Sequence, residues 1–263
     1  MNAASKKAIL IVSFGTSYEN TRKRTIDAIE RDIADAFPVC PVYRAWTSKM
    51  IIAKLKKRDG IIIHTVKEAM EQMLLDGITD VIVQPTHVIN GIENDQMKAD
   101  ALSFRDRFSS IVFGNPLLTT EEDNQAVVQA VAGEFQDMDQ ETALVLMGHG
   151  TEHYANSVYA ALDYRFKDMG HKNIFLGTVE AYPALDSLLR AADSFQPKKI
   201  VLAPFMIVAG DHARNDLAGA EADSWDSILK ADGFETEVIM KGLGEIDAIA
   251  EMFVKHLKKA ESL

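Results

Sequence analysis

The chain alternates between short apolar runs and longer stretches in which apolar side chains recur every three or four residues. Runs of about four to eight mostly aliphatic residues are typical of buried strands, and the periodic stretches are typical of amphipathic helices. Strands are predicted at residues 8–13, 39–46, 80–84, 111–113, 142–147, 173–179, 199–203 and 235–239. Helices are predicted between them, at residues 20–37, 50–55, 66–75, 94–108, 155–166, 184–192, 215–230 and 246–258. This alternation predicts an α/β fold with a mostly parallel sheet covered by helices on both faces.

The pattern is interrupted near the middle of the chain. Residues 115–124 contain Pro116 and then TTEED, which is typical of a linker followed by the capped start of a helix. A chain of 263 residues is long enough for two domains of about 130 residues each. We therefore predict an N-terminal lobe of residues 1–118 and a C-terminal lobe of residues 119–263.

Three loops recur in both halves of the chain. IVSFGTSYEN aligns with VLMGHGTEHYAN, YRAW with VEAY, and VIVQPTHVINGIEN with IVLAPFMIVAGDHARN. The alignment pairs Phe14 with His149, Arg44 with Glu180, and Glu93 with His212. The sequence thus predicts two similar lobes, with these six side chains at strand ends that face a cleft between the lobes.

His149 is the most conspicuous polar residue of the repeat. The apolar run LVLM leads directly into Gly148-His149-Gly150, which indicates a strand that delivers the imidazole to a βα turn. Ligands of open parallel sheets are typically bound at that edge. Alone, Glu180 and His212 are each more typical of a loop residue or helix cap. Two imidazoles and a carboxylate at three strand ends suit Co²⁺, Ni²⁺, Fe²⁺ or Zn²⁺, so their joint placement predicts a metal centre.

Two polar residues of the first half have alternative interpretations. Glu93 follows Gly91 in NGIEND, where it is either an acidic first-turn residue favourable to the helix dipole or a proton acceptor and metal relay. His87 precedes it in the same loop, as either a hydrogen-bonded histidine of a buried turn or a direct ligand.

The composition limits the classes of molecule that the protein is expected to bind. The formal charge of −11 argues against nucleic acid or an anionic membrane and is compatible with gathering a divalent cation. Cys40 is the only cysteine, which excludes an intrachain disulfide and thiolate metal sites of the zinc-finger type. No apolar stretch approaches the roughly 20 residues of a membrane span, and the first apolar run is more typical of a strand than of a signal peptide. We expect a soluble cytoplasmic protein.

Nucleotide-binding and hydrolase motifs are absent. SFGTS and GHGTE match neither GxGxxG nor GxxxxGK[ST], and the chain has no GxSxG elbow. Dinucleotide and ATP chemistry therefore have no support in the sequence, and no cofactor is expected beyond the metal.

Several motifs together resemble one family. MGHGTEHYANSVYAALD, VEAYP and PFMIVAGDHARNDLAG, with SFGTSYENT, HVINGIEN and GLGE, resemble the anaerobic cobalt chelatases of cobalamin biosynthesis. These are the sirohydrochlorin cobaltochelatases of the class II chelatase superfamily, and the resemblance covers nearly the whole chain. It implies a chelatase-like fold and ATP-independent insertion of Co²⁺ into sirohydrochlorin or its oxidised or reduced relative. It also implies that His149, Glu180 and His212 hold the metal, with Glu93 as an additional carboxylate.

Metallation has a proton requirement that these residue types meet. Two pyrrole N–H protons must leave while the metal moves from protein to macrocycle. Neutral imidazoles, with an ordinary pKa of about 6.5, both bind metals and accept protons, and carboxylates relay protons outwards. We therefore predict His149, His212 and Glu93 as catalytic, without assigning a particular proton to either histidine.

The carboxylates of the implied substrate require cations in the cleft. Arg44 and Arg214, together with Lys49 and Arg22, are the candidates, and Phe14 and His87 are further predicted substrate contacts. Two alternatives stay open: a chelatase for another metal such as Fe²⁺ or Ni²⁺, and a non-catalytic metal or tetrapyrrole carrier. The sequence also leaves homo-oligomerisation open.

Overall fold

The computed structural model describes residues 6–139, 141–192 and 195–261. The described chain divides into two compact units. The first comprises the chain up to Thr119 together with the C-terminal stretch from Asp247, and the second runs from Thr120 to Ile246.

The first unit is built on a parallel sheet. Its strands are β1 (Lys7–Ser13), β2 (Val42–Trp46), β3 (Asp80–Pro85) and β4 (Ser110–Phe113), in the order β2-β1-β3-β4. The helices between them are α1 (Glu19–Arg24), α2 (Ile26–Ala36), α3 (Lys49–Asp59), α4 (Val66–Leu75) and α5 (Ile92–Leu102).

The second unit repeats this plan. Its strands β5 (Thr142–Gly148), β6 (Ile174–Thr178), β7 (Lys199–Pro204) and β8 (Glu235–Val238) are parallel and follow the order β6-β5-β7-β8. The accompanying helices are α6 (Glu121–Glu134), α7 (Ser157–Asp168), α8 (Leu185–Ala192) and α9 (Trp225–Ala231). The predicted fold class, two similar lobes with parallel sheets flanked by helices, is confirmed.

The burial of the central strands explains why apolar runs in the sequence predicted them. β5 is buried at every position, because helices cover both faces of a parallel sheet. On one face, Val145 and Met147 pack with Leu188, Leu202 and Trp225. Burying a large apolar side chain stabilises the fold by about 1.5–3 kcal/mol, so a continuous aliphatic strand is favoured at this place.

The boundary between the two units lies at the capped helix start that the sequence predicted. Thr120 and Asp123 form a capping box: the Asp123 N–H donates to Thr120 Oγ1 across 3.2 Å, and the Thr120 N–H donates to Asp123 Oδ2 across 2.9 Å. The structure therefore begins the second unit within two residues of the predicted boundary between residues 118 and 119.

The last helix differs from the prediction, which assigned all of residues 119–263 to the second lobe. Helix α10 (Asp247–Glu261) belongs to the first unit, where it packs on α2, β3 and β4. Its buried face includes Ile249, Phe253 and Leu257. An apolar helical face suits either sheet, so the sequence pattern alone does not tell which sheet it covers.

Three predicted helices are broken in the structure, and the one over residues 94–108 is α5 followed by a separate 3₁₀ turn, Arg105–Arg107. The helix predicted over residues 20–37 is split at Thr25, and the one over residues 215–230 is a π-helical turn, Ala213–Leu217, followed by α9. In the last case, the Ser224 hydroxyl donates to the Gly219 carbonyl across 2.7 Å, and its oxygen caps α9. None of the described helices combines the length and apolar character needed to cross a bilayer. The cytoplasmic location stays a prediction.

Candidate metal centre

His149 is the first residue after β5, at the carboxyl edge of the second sheet. The turn depends on its flanking glycines. A Cβ added at Gly148 would lie 2.6 Å from the ring of Tyr159, and Gly150 adopts φ +85° with the Ala181 nitrogen 2.9 Å from its Cβ position. His149 Nδ1 lies 2.8 Å from the Gly150 carbonyl oxygen. Because a carbonyl only accepts, this contact places the proton of the neutral ring on Nδ1.

Glu180 reaches the same edge from the neighbouring strand. Beyond β6, the Val179 N–H donates to the Gly148 carbonyl across 3.0 Å, and the Glu180 N–H donates to the His149 carbonyl across 2.9 Å. These bonds hold the two residues side by side. Glu180 Oε2 lies 3.6 Å from His149 Nδ1.

His212 follows the loop that leaves β7 and immediately precedes the π-helical turn. The loop is held by backbone bonds from Leu243 to Met206, 2.7 Å, and from Gly244 to Ile207, 3.0 Å. A Cβ added at Gly242 would lie 2.5 Å from the Ile207 carbonyl oxygen, so this glycine of the GLGE motif permits the close approach. His212 Nε2 lies 4.0 Å from Glu180 Oε1.

The structure thus brings the three predicted metal ligands together. One ligand atom from each of His149, Glu180 and His212 lies within 4.8 Å of the others, and the two imidazole rings are 4.5 Å apart, edge to face. Ligand atoms bound to one ion at about 2.0–2.2 Å are about 3–4 Å apart, so small side-chain adjustments close the site. The three side chains are 38%, 52% and 36% exposed, which leaves the cluster accessible.

In the first unit, His87 is buried, close to Glu93 and Asn94. It lies beyond β3, is 8% exposed, and has the side chain of Asn94 beside its ring. Burial lowers the pKa of His87 to about 4, although the negative charge of Glu93 opposes this effect. The imidazole is therefore neutral near pH 7. The two predicted interpretations of His87, a hydrogen-bonded turn histidine and a direct ligand, both stay predictions.

Glu93 lies in the first turn of α5 and is half-buried. Backbone bonds support its pairing with His212 in the repeat. Leu117 donates to the His87 carbonyl across 2.9 Å, as Leu243 donates to that of Met206 across 2.7 Å. The two loops therefore follow the same path from their strands.

The predicted pairing of Arg44 with Glu180 is wrong. Ser48 donates its backbone N–H to the Phe14 carbonyl across 3.2 Å, as Glu180 does to that of His149, so Ser48 is the counterpart of Glu180. Arg44 lies inside β2 rather than beyond it. The similar sequences Ala-Trp and Ala-Tyr displaced the alignment by four residues.

Arg44 is also paired within its own unit. Its guanidinium binds the carboxylates of Asp27 and Glu30, with Nε 2.8 Å from Glu30 Oε1. Its charge is thus balanced locally, and its strand position does not provide the loop cation that the sequence predicted. Arg22 likewise pairs with Asp27 at 3.2 Å.

The remaining predicted substrate contacts are at the surface. Phe14 follows β1 and is 44% exposed, Lys49 is the exposed first residue of α3, and Arg214 is exposed in the π-helical turn beside His212. Their contacts with substrate stay predictions.

Sequence reasoning missed Asp216. Its Oδ2 lies 2.7 Å from Nδ1 of His212, the ring nitrogen away from Glu180. The available signal was an acidic residue four positions after a candidate histidine ligand, a spacing that places two side chains on one helical face.

Comparisons with known proteins agree on one family. The family model described as cobalt chelatase (CbiK) matches residues 7–262. The sirohydrochlorin cobaltochelatase of Salmonella typhimurium strain LT2 is 40% identical over 255 residues, which cover 97% of this chain and 96% of that protein. The sirohydrochlorin cobaltochelatase CbiKC of Nitratidesulfovibrio vulgaris strain Hildenborough is 30% identical over 265 residues, 98% of this chain and 92% of that protein.

A solved structure shares the fold. It is the crystal structure of the sirohydrochlorin chelatase SirB from Bacillus subtilis subspecies spizizenii in complex with cobalt. The match has a TM-score of 0.67 at 16% identity and covers 98% of this chain and 96% of that chain. At this identity the likeness shows the fold alone.

Proposed function

Since this chain belongs to the cobalt chelatase (CbiK) family, we propose that it is an enzyme that inserts Co²⁺ into sirohydrochlorin without ATP. The observation that carries the proposal is the accessible cluster of His149, Glu180 and His212. The absence of a phosphate-binding fingerprint from the sequence supports a reaction driven by ligand exchange alone.

In this proposal the cluster holds the incoming Co²⁺. Two imidazole nitrogens and one carboxylate suit a borderline divalent ion. The single negative charge of Glu180 leaves the bound ion with a net positive charge, which favours its approach to an anionic tetrapyrrole. The partial exposure of the three side chains leaves room for the macrocycle to replace them as ligands.

The proton balance assigns further roles. One Co²⁺ enters the ring and two pyrrole protons leave it. As the ion departs, His149 and His212 regain unshared lone pairs and are proposed as proton acceptors. Glu93, in the first turn of α5, is proposed as the carboxylate that passes a proton on to water.

Substrate recognition is proposed to involve Phe14, His87 and Arg214. Phe14 offers an exposed aromatic face, and Arg214 is an exposed cation two residues after His212. Arg44 is left out of this set because Asp27 and Glu30 already bind it.

An anaerobic absorbance assay tests the function. The purified protein is mixed with sirohydrochlorin and Co²⁺ without ATP, and the spectrum of the metallated ring is followed against a protein-free reaction. Wild type should accelerate metallation, and His149→Ala should abolish the acceleration. His171→Ala is the matched control, since His171 precedes β6 at the opposite sheet edge and should leave turnover unchanged.

Other outcomes separate the alternatives. Near-normal turnover by His149→Ala would contradict the assignment of His149 to the metal site. Ring binding without metallation would indicate a carrier. Parallel reactions with Fe²⁺ and Ni²⁺ identify the preferred metal, and faster insertion of either would replace Co²⁺ in the proposal.

A further inference from the structure

The two histidines of the metal centre have different hydrogen-bond partners. His149 Nδ1 bonds to a neutral backbone carbonyl, that of Gly150, at 2.8 Å. His212 Nδ1 bonds to a carboxylate oxygen of Asp216 at 2.7 Å. Asp216 is outside the ligand cluster and has no role in the function proposed above.

We propose that Asp216 is a positioning residue that prepares His212 to bind the metal. An ionised carboxylate only accepts hydrogen bonds, so His212 carries its proton on Nδ1 and directs the lone pair of Nε2 toward Glu180. A carboxylate on the outer nitrogen fixes the ring orientation and makes the imidazole a stronger ligand. The inference rests on the proposed function of the cluster.

The local backbone holds His212 and Asp216 next to each other. Ala213 and Leu217 are fully buried and anchor the π-helical turn, while His212 and Asp216 remain 36% and 41% exposed. The Ala218 N–H donates to the Ala213 carbonyl across 3.2 Å, a bond that spans five residues and widens the turn. Such π-helical turns are frequent at functional sites. The orientation of His212 is thus set by the fold before any metal arrives.

Co²⁺ binding to the full-length protein tests the role without tetrapyrrole. The visible absorption of bound Co²⁺ reports its ligands, and a titration gives the dissociation constant. Asp216→Ala should weaken Co²⁺ binding about 10- to 100-fold. Asp216→Asn, whose amide oxygen still accepts a hydrogen bond from the Nδ1–H of His212, should recover part of the lost Co²⁺ affinity. Glu221→Ala removes the same charge from an exposed position of this unit and should bind as wild type does.

A double-mutant cycle distinguishes positioning from a general structural role. In a His212→Ala background, Asp216→Ala should cause no further loss of Co²⁺ affinity, because the residue acts through His212 alone. Nitrogen NMR of the labelled imidazole should show the Nδ1-protonated tautomer in wild type and a mixture in Asp216→Ala.

Two results would overturn the inference. One is wild-type Co²⁺ affinity in Asp216→Ala, and the other is an equal loss with and without His212. The proposed function fails separately, if wild type binds Co²⁺ in this Asp216-dependent way yet does not metallate sirohydrochlorin.

Discussion

The backbone N–H of Glu180 donates to the backbone carbonyl of His149 across 2.9 Å. The bond continues the ladder between β5 and β6 beyond its last pair, Gly148 and Thr178. Two of the three proposed metal ligands are therefore joined through main chain, and their side chains take no part in this bond. Substituting either side chain leaves this bond in place, so ligand variants should retain the fold.

Gly150→Ala should damage both stability and metal binding. A residue with a side chain pays about 1–2 kcal/mol for the left-handed conformation at φ +85°. Its Cβ would also lie 2.9 Å from the Ala181 nitrogen, which pushes the chain carrying Glu180 away from His149. Overpacking of this kind costs a further 1–3 kcal/mol, roughly. Urea unfolding and Co²⁺ titration measure the two effects.

Gly170→Ala provides the matched control. Gly170 has φ +95°, yet its added Cβ would meet nothing within 4 Å. This variant should pay only for backbone conformation and keep wild-type Co²⁺ affinity. Equal destabilisation in both variants would show that the contact with Ala181 is unimportant.

The burial of His87 predicts a pH-dependent stability. Its pKa is lowered from 6.5 to about 4 in the folded chain, so the unfolded chain binds the proton more readily. The contribution is fully present above about pH 6.5 and is lost as the pH falls toward 4, reaching about 3 kcal/mol at most. The free energy of unfolding in urea at a series of pH values should show this decline.

His87→Leu isolates that contribution. Leucine removes the titrating imidazole and fills the buried position with an apolar side chain. The variant should lose less stability than wild type between pH 6.5 and 4. Identical pH profiles for the two proteins would contradict a neutral buried imidazole.

Glu93→Gln should separate proton transfer from metal binding. Glutamine keeps the size of the side chain but does not accept the proton that general base catalysis requires. We expect metallation to slow about 10²- to 10⁴-fold while Co²⁺ affinity stays unchanged. Asp95→Asn removes a charge from the same first turn of α5 and should remain active. A parallel fall in Co²⁺ affinity for Glu93→Gln would make Glu93 a metal ligand instead.

Much of the fold was predictable because its signals are local. Each central strand is a continuous aliphatic run, and each ends in a glycine-marked loop, as at Gly15 and Gly150, which both adopt positive φ. The clustering of His149, Glu180 and His212 could be predicted for the same reason. Parallel strands deliver their carboxyl ends to one edge, so residues placed just after them meet there.

The sequence predictions were wrong or incomplete where contacts between elements, rather than local patterns, determine the structure. Ser48, not Arg44, matches Glu180 because a backbone bond to the preceding strand fixes the register. Asp216 was missed because its contact with His212 depends on the π-helical turn, while the pattern of residues 215–230 predicted one regular helix. The register leaves no trace in the sequence, and the four-residue spacing of His212 and Asp216 was the only signal of their contact.

The placement of helix α10 can also be tested, because its apolar pattern does not tell which of the two sheets it covers. Phe253 is fully buried against the first unit, so Phe253→Ala should cost about 3–5 kcal/mol through lost burial and the cavity left behind. Hydrogen exchange should show lost protection in β3 and β4, on which α10 packs, with β5 and β6 protected as in wild type. The matched variant Phe166→Ala removes an equally buried ring from the second unit and should give the reverse pattern. If Phe253→Ala instead exposed β5 and β6, α10 would belong with the second sheet, as the sequence first predicted.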